Sequence, residues 1–208
     1  MLSELSPHKG ETEWADRLHH RATLIGGSGA SPRRDSDFYP TPPEVTIALL
    51  DYLNLLLDTR IWEPACGEGH MAAVMIIRGY DVVATDLRET GYGFGGVNYL
   101  SAPLYPCDWI ITNPPFSLAY RFIMQSYDHR KPFALLLKSQ FWHAANRQKL
   151  WSTIQPSEIL PLTWRPDFTG QKSSLMDMIW CVWRESTNYT VYTPLSKPRL
   201  LNNLMLEE

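Results

Sequence analysis

Apolar residues in this chain fall into short continuous runs, separated by stretches in which they recur at helical spacing. The first helical stretch opens at Pro43, where Val45, Ile47, Ala48, Leu49 and Leu53 share a face behind a proline suited to a first turn; the spacing predicts a helix to about Leu57. Short apolar runs predict strands at Arg60–Glu63, Asp81–Thr85, Asp108–Thr112 and Pro132–Leu137. Helical patterns fill the gaps, from near His70 to about Gly79, Ser117–Tyr127 and Trp142–Ser152. The last run, Asp177-Met178-Ile179-Trp180-Cys181-Val182-Trp183, alternates too little for a one-sided sheet and predicts a strand buried on both faces. Strands alternating with helices predict an α/β domain: a mostly parallel central sheet flanked by helices, with any ligand at the carboxyl ends of the strands.

Composition limits the domain count. With 208 residues and 44% hydrophobic content, the chain can bury the core of one such domain, and two would be cramped. Residues 1–36 differ from the rest of the chain: Gly26-Gly27-Ser28-Gly29-Ala30-Ser31-Pro32 has linker composition, so residues 1–36 are expected to form a flexible arm and 37–208 the domain. His19 and His20, adjacent in that arm, would point to different helix faces with no second ligand pair nearby, so no metal site is expected. Cys66, Cys107 and Cys181 are scattered, which argues against a zinc site or disulfide framework and makes a reducing cytoplasm the simplest setting. The polar start and the lack of any apolar stretch near ~18 residues argue against a secretory signal and a membrane span.

The strand expected at Asp108–Thr112 runs directly into Asn113-Pro114-Pro115-Phe116. Pro114 biases Asn113 toward extended backbone, and Pro115 does the same to Pro114, so the Asn113 side chain and the Pro114 carbonyl stand on a stiff frame. Both are acceptors. Two fixed acceptors can hold the N–H donors of an exocyclic amino group, and Phe116 offers a face on which a planar base can stack. The same tetrapeptide can also be a strand ending in a proline turn with an aromatic plug.

Upstream, Arg60-Ile61-Trp62-Glu63-Pro64-Ala65-Cys66-Gly67-Glu68-Gly69-His70 reads as strand, glycine loop and helix start. Gly67 and Gly69 allow close backbone approach to a ligand. The next strand ends at Asp86, 17 residues after Gly69, the spacing of a βαβ nucleotide site whose acid binds ribose hydroxyls.

Together these elements resemble the class I S-adenosylmethionine-dependent methyltransferases, and within them the small bacterial and phage-borne enzymes that modify N6 of adenine. The resemblance covers roughly residues 37–185. It implies a Rossmann-like fold and S-adenosyl-L-methionine as cofactor. Glu63, Ala65, Gly67 and Gly69 are similar to the family's cofactor loop, and Asp86 to its ribose-binding acid. Asn113, Pro114 and Phe116 are similar to its catalytic motif, with Asn113 also near cofactor and Pro115 near substrate. Asp37-Phe38-Tyr39-Pro40-Thr41-Pro42 is similar to the segment that closes over the methionine end of the cofactor, which implicates Tyr39 and Thr41. Val97-Asn98-Tyr99-Leu100 falls where the family has Asp-Phe-Leu against the cofactor adenine; it implicates Asn98 and Tyr99, although Asn98 carries no charge.

A formal charge of −3 is unusual for an enzyme of nucleic acid. From Lys138 to Lys172, however, Lys138, Arg147, Lys149, Arg165 and Lys172 outnumber Glu158 and Asp167 and are interleaved with Phe141, Trp142, Trp151, Trp164 and Phe168. Cations mixed with aromatics suit nucleic acid, so Lys138, Phe141, Trp142 and Arg165 are expected on the substrate side, with DNA the expected partner and RNA an alternative. The same residues also fit a solvated rim over core aromatics. Only 26 residues separate Asp86 from Asn113, enough for one more strand and a helix but not for a reader of base edges. Slight or short sequence preference is therefore expected, from a monomer or homodimer, with any reading left to the arm, to a short loop such as Trp164–Ser174, or to a second subunit.

Three functions fit: transfer of methyl to adenine N6 in DNA by direct attack on a flipped base; transfer to another planar nitrogen, such as adenine in RNA, cytosine N4 or protein glutamine; and cofactor binding without catalysis. Pro106-Cys107 superficially offers the nucleophile of cytosine-C5 enzymes, but it precedes the strand instead of following it.

Overall fold

The computed structural model describes residues 40–168, 176–184 and 189–199. The expected arm at 1–36, Tyr39, and residues 169–174 of the Trp164–Ser174 loop lie outside the described residues. Helices are α1 (Pro43–Leu53), α2 (His70–Ile77), α3 (Ala119–Asp128) and α4 (Arg147–Thr153). Strands are β1 (Arg60–Glu63), β2 (Asp81–Ala84), β3 (Trp109–Thr112), β4 (Phe133–Lys138), β5 (Glu158–Pro161), β6 (Met178–Trp183) and β7 (Val191–Tyr192). Short 3-10 turns at Phe116–Leu118 and Ser139–His143 follow β3 and β4.

All seven strands form one sheet, ordered β2-β1-β3-β4-β6-β5-β7. Strands β2, β1, β3 and β4 are mutually parallel, so their carboxyl ends share one edge of the sheet. β6 runs antiparallel between β4 and β5. The mostly parallel, helix-flanked sheet expected from the alternating pattern is therefore present.

Side-chain alternation within the strands explains why both faces are covered. Ile61, Trp109, Ile111, Ala134, Leu136, Trp180 and Val182 point to the face packed by α1 and α2. Trp62, Ile110, Leu135, Leu137, Ile179, Cys181 and Trp183 point to the other, where α3 contributes Phe122 and Ile123 and α4 contributes Leu150. Each large apolar side chain buried this way contributes about 1.5–3 kcal/mol. Trp62 and Trp180 are fully buried, and each finds an acceptor for its indole N–H: Thr85 Oγ1 at 3.0 Å and the Val45 carbonyl at 3.1 Å.

Three expectations are corrected. α1 stops at Leu53 because Asn54 adopts the left-handed conformation (φ 47°) and returns its N–H to the Leu50 carbonyl, leaving Leu56 and Leu57 exposed. Between Asp86 and Asn113 there is no further named strand or helix apart from β3 itself. Instead the chain folds back on β2 through a single bridge from Thr85 to Phe94, and glycines at 91, 93, 95 and 96 permit this tight return. The pattern also misses β5 and β7. β5 begins at a buried carboxylate, Glu158, which accepts from Ser157 Oγ at 2.6 Å and from Arg184 Nε at 2.6 Å, so its polarity hides a core strand.

Candidate functional site

The carboxyl edge of β2, β1, β3 and β4 gathers four loops, and the strand order reverses between β1 and β3, the position at which open α/β sheets leave a crevice. On the β1 side, Gly67 (φ 54°) and Gly69 (φ 82°) hold left-handed backbone that only glycine adopts without strain. Asp86, buried at the end of β2, accepts the Gly67 N–H at 2.8 Å through Oδ2. Its Oδ1 accepts the Arg88 backbone N–H at 2.8 Å and Arg88 Nε at 3.2 Å. Thr90 Oγ1 donates to the Gly67 carbonyl at 2.6 Å. The Tyr92 ring lies so close to Gly69 that a Cβ there would come within 2.4 Å of it. The glycine loop and the loop after β2 thus form one hydrogen-bonded unit.

Glu63 ends β1 beneath that unit and is 2% exposed. Burial holds its carboxyl well above the usual carboxylate range, against the lowering effect of a hydrogen bond from the Ala72 backbone N–H and with a further upward push from Asp86. Its Oε2 is buried without a hydrogen-bond partner. Ala65 is half-buried in the same loop. Burial also pushes the Cys66 thiol up to about 12, and the Cys107 thiol, buried before β3, up to about 11.

On the β3 side, Asn113 follows the fully buried strand and is half-buried. Its Nδ2 donates to Thr41 Oγ1 at 3.0 Å, with Oδ1 at the other end of the amide. That Oδ1 is buried and has no partner. An amide acceptor held this way costs about 1–3 kcal/mol unless something donates to it. Pro114 is buried, Pro115 half-buried, and Phe116 opens the 3-10 turn. Lys138 Nζ, from the end of β4, sits 4.2 Å from the Phe116 ring centroid.

The structure therefore gathers Thr41, Asn113, Pro114, Pro115, Phe116 and Lys138 on one side, and Glu63, Ala65, Gly67, Gly69 and Asp86 on the other. Asn98 is exposed, and its Oδ1 accepts the Leu100 N–H at 3.1 Å in a local turn. Tyr99 is 2% exposed, packs edge-on against Trp62 at 5.1 Å and hydrogen-bonds Ser126 Oγ at 2.6 Å. Its ring and hydroxyl both belong to the core, so a ligand can meet only its backbone. Phe141 and Trp142 occupy the turn after β4, and Trp142 Nε1 donates to Cys181 Sγ at 3.4 Å. Arg165 is an exposed partner of Asp177 at 2.8 Å. Sequence reasoning missed Arg88, Thr90 and Tyr92. The signal was the run Gly91-Tyr92-Gly93-Phe94-Gly95-Gly96, since such glycine density marks close backbone approach; a Cβ on Gly93 would meet the Ala84 carbonyl at 2.4 Å.

Three solved structures share this fold. A protein from Listeria monocytogenes assigned as a class I S-adenosylmethionine-dependent methyltransferase aligns with a TM-score of 0.57 at 16% identity, over 89% of this chain and 73% of that one. A protein from Pyrococcus horikoshii assigned as an RNA methyltransferase gives 0.58 at 12%, over 81% of this chain and 100% of that one. The chain has the class I methyltransferase fold. A type I restriction-modification methyltransferase subunit from Streptococcus thermophilus shares it too, with a TM-score of 0.59 at 12% identity over 76% of this chain; this chain spans only 47% of that subunit. No protein-family profile and no curated protein sequence matches the chain. Within the class I methyltransferase fold, both halves of the crevice lie over the parallel strands, and no three His, Cys, Asp or Glu side chains among the described residues come together as metal ligands. No helix among the described residues is long and apolar enough to cross a membrane.

Proposed function

We propose that the chain transfers a methyl group from S-adenosyl-L-methionine to the N6 amino group of adenine in DNA, with slight or short sequence preference. The observation that carries this reading is Asn113: its Nδ2 is tied to Thr41, leaving a buried Oδ1 with no donor beside a proline-stiffened aromatic. A planar amine stacked on Phe116 fills that need. Asn113 Oδ1 and the Pro114 carbonyl accept its two N–H groups, which draws the nitrogen lone pair out of conjugation with the ring. Stacking on Phe116 fixes the plane of the base, and no covalent enzyme intermediate is required.

The residues at β1 and β2 fit the cofactor. Glu63 Oε2, buried without a partner, suits an ammonium group, and Asp86 can exchange its Arg88 contacts for a pair of ribose hydroxyls. Gly67 and Gly69 would bring backbone close to it. When bound, S-adenosylmethionine supplies the activated methyl group. DNA is supported as the carrier by cations that stack on rings: Lys138 over Phe116 of the same motif as Asn113, and Arg147 over Phe141 at 4.4 Å and over Tyr120 at 5.0 Å.

The test is radiolabelled methyl transfer from S-adenosylmethionine to DNA, RNA and protein offered in parallel. Label should enter DNA. Label confined to RNA or protein would move the reading to another planar nitrogen, and label in none would leave a binding protein.

A further inference from the structure

Residues 129–157 contain no Asp or Glu, yet include Arg130, Lys131, Lys138, Arg147 and Lys149, in a chain whose formal charge is −3. In the fold, this acid-free stretch supplies β4, the turn after it and α4; Arg130 and Lys131 precede β4, whereas Lys138, at its carboxyl end, lies over Phe116. An open groove of about 380 Å³ is lined by Trp142, His143, Arg147, Gln148 and Trp151 with two alanines. Ring contacts run into it from Tyr120, four residues beyond Phe116. Arg147 lies over Tyr120 and over Phe141; Phe141 meets Trp142 edge-on at 5.0 Å, and Trp142 meets Trp151 edge-on at 5.0 Å. Trp142 is anchored through its N–H to Cys181, which holds its ring at the groove.

We propose that this groove is a second nucleotide subsite, which takes the single-stranded DNA flanking the target base, one base against the Trp142–Trp151 pair and a backbone phosphate against Arg147. The inference rests on the proposed function for the direction of the strand, outward from Phe116. Its chemistry is independent of base identity, because rings offer a face to any base and the cation reads only phosphate. A duplex would not present an unstacked base to the groove, so the extruded or single-stranded state is the one that fits.

Fluorescence anisotropy with the full chain and a labelled single-stranded oligodeoxynucleotide tests this without methyl transfer. The variant Arg147→Gln should bind about fivefold more weakly. The slope of log affinity against log salt should flatten by about 0.7, the loss expected for one phosphate contact on a single strand. An abasic position next to the target adenine should weaken wild-type binding about tenfold, and Trp151→Ala should erase that difference. Unchanged affinity and slope in Arg147→Gln, no loss at the abasic position, or tighter binding of the matched RNA strand would overturn the subsite. Methyl transfer to the same oligonucleotide is read separately. Its absence beside the expected binding pattern would overturn the proposed function and not the groove, and its presence beside unchanged variant binding would do the reverse.

Discussion

The two halves of the crevice are held by different means. Around the glycine loop the polar groups are engaged mostly by neighbours: Asp86 alone takes hydrogen bonds from Gly67 and twice from Arg88, and Thr90 closes on the Gly67 carbonyl, while Glu63 Oε2 is the exception, buried without a partner. At Asn113 the amide is held by one bond to Thr41 and its oxygen is left over. On the proposed function, Asp86 must exchange internal bonds for ligand bonds, whereas Asn113 Oδ1 is an acceptor preorganised for the transition state.

The largest effect should come from breaking the preorganised half. Asn113→Ala should lower methyl transfer by about 10²–10³-fold, the cost of losing one fixed transition-state contact, while calorimetry shows cofactor affinity within a few-fold of wild type. An equal loss in both would mean that the two halves are not separate. Next is Asp86→Ala, which should weaken S-adenosylmethionine binding by about 1.5–3 kcal/mol, the range for hydrogen bonds to a charged group. An unchanged dissociation constant would remove Asp86 from the cofactor site.

A pair of glycines probes the self-bonded loop. Gly91 and Gly93 both have positive φ, but a Cβ on Gly91 meets nothing within 4 Å, whereas one on Gly93 meets the Ala84 carbonyl at 2.4 Å. Gly91→Ala should incur only the ~1–2 kcal/mol of left-handed backbone. Gly93→Ala should cost clearly more in denaturant unfolding, and equal values would show that the loop is not held against β2.

The smallest effect concerns Glu63. Its folded-state carboxyl is raised above its unfolded value, so the native state holds a proton that the unfolded chain has released. Stability from this group is therefore full below the unfolded carboxylate range and declines as pH rises toward the folded value, by at most about 1.4 kcal/mol per pH unit. Glu63→Gln should flatten that decline in thermal unfolding of the free protein while weakening cofactor binding. A wild-type stability that rises with pH across the same window would contradict the buried, protonated Glu63.

Strand periodicity made the central sheet readable because each core strand is apolar on both faces, and the positions of Asn113, Gly67, Gly69 and Asp86 just beyond strand ends were readable because proline, glycine and an acid there mark where an apolar run stops. The features that stayed hidden depend on tertiary pairing. β5 looks polar until Glu158 is seen against Arg184 and Ser157. Tyr99 looks like a ligand contact by position, yet its hydroxyl is taken by Ser126, 27 residues away. Thr90 and Tyr92 act on the glycine loop from the loop after β2, more than 20 residues away, which no local pattern encodes.

Transfer to adenine N6 is tested most directly by digesting DNA treated with the purified chain and S-adenosylmethionine to nucleosides, identifying the methylated product by mass, and mapping it on a plasmid. N6-methyladenine should appear at adenines in many or very short contexts. N4-methylcytosine or 5-methylcytosine as the product, or N6-methyladenine confined to one long motif, would contradict the proposed reaction or its slight sequence preference.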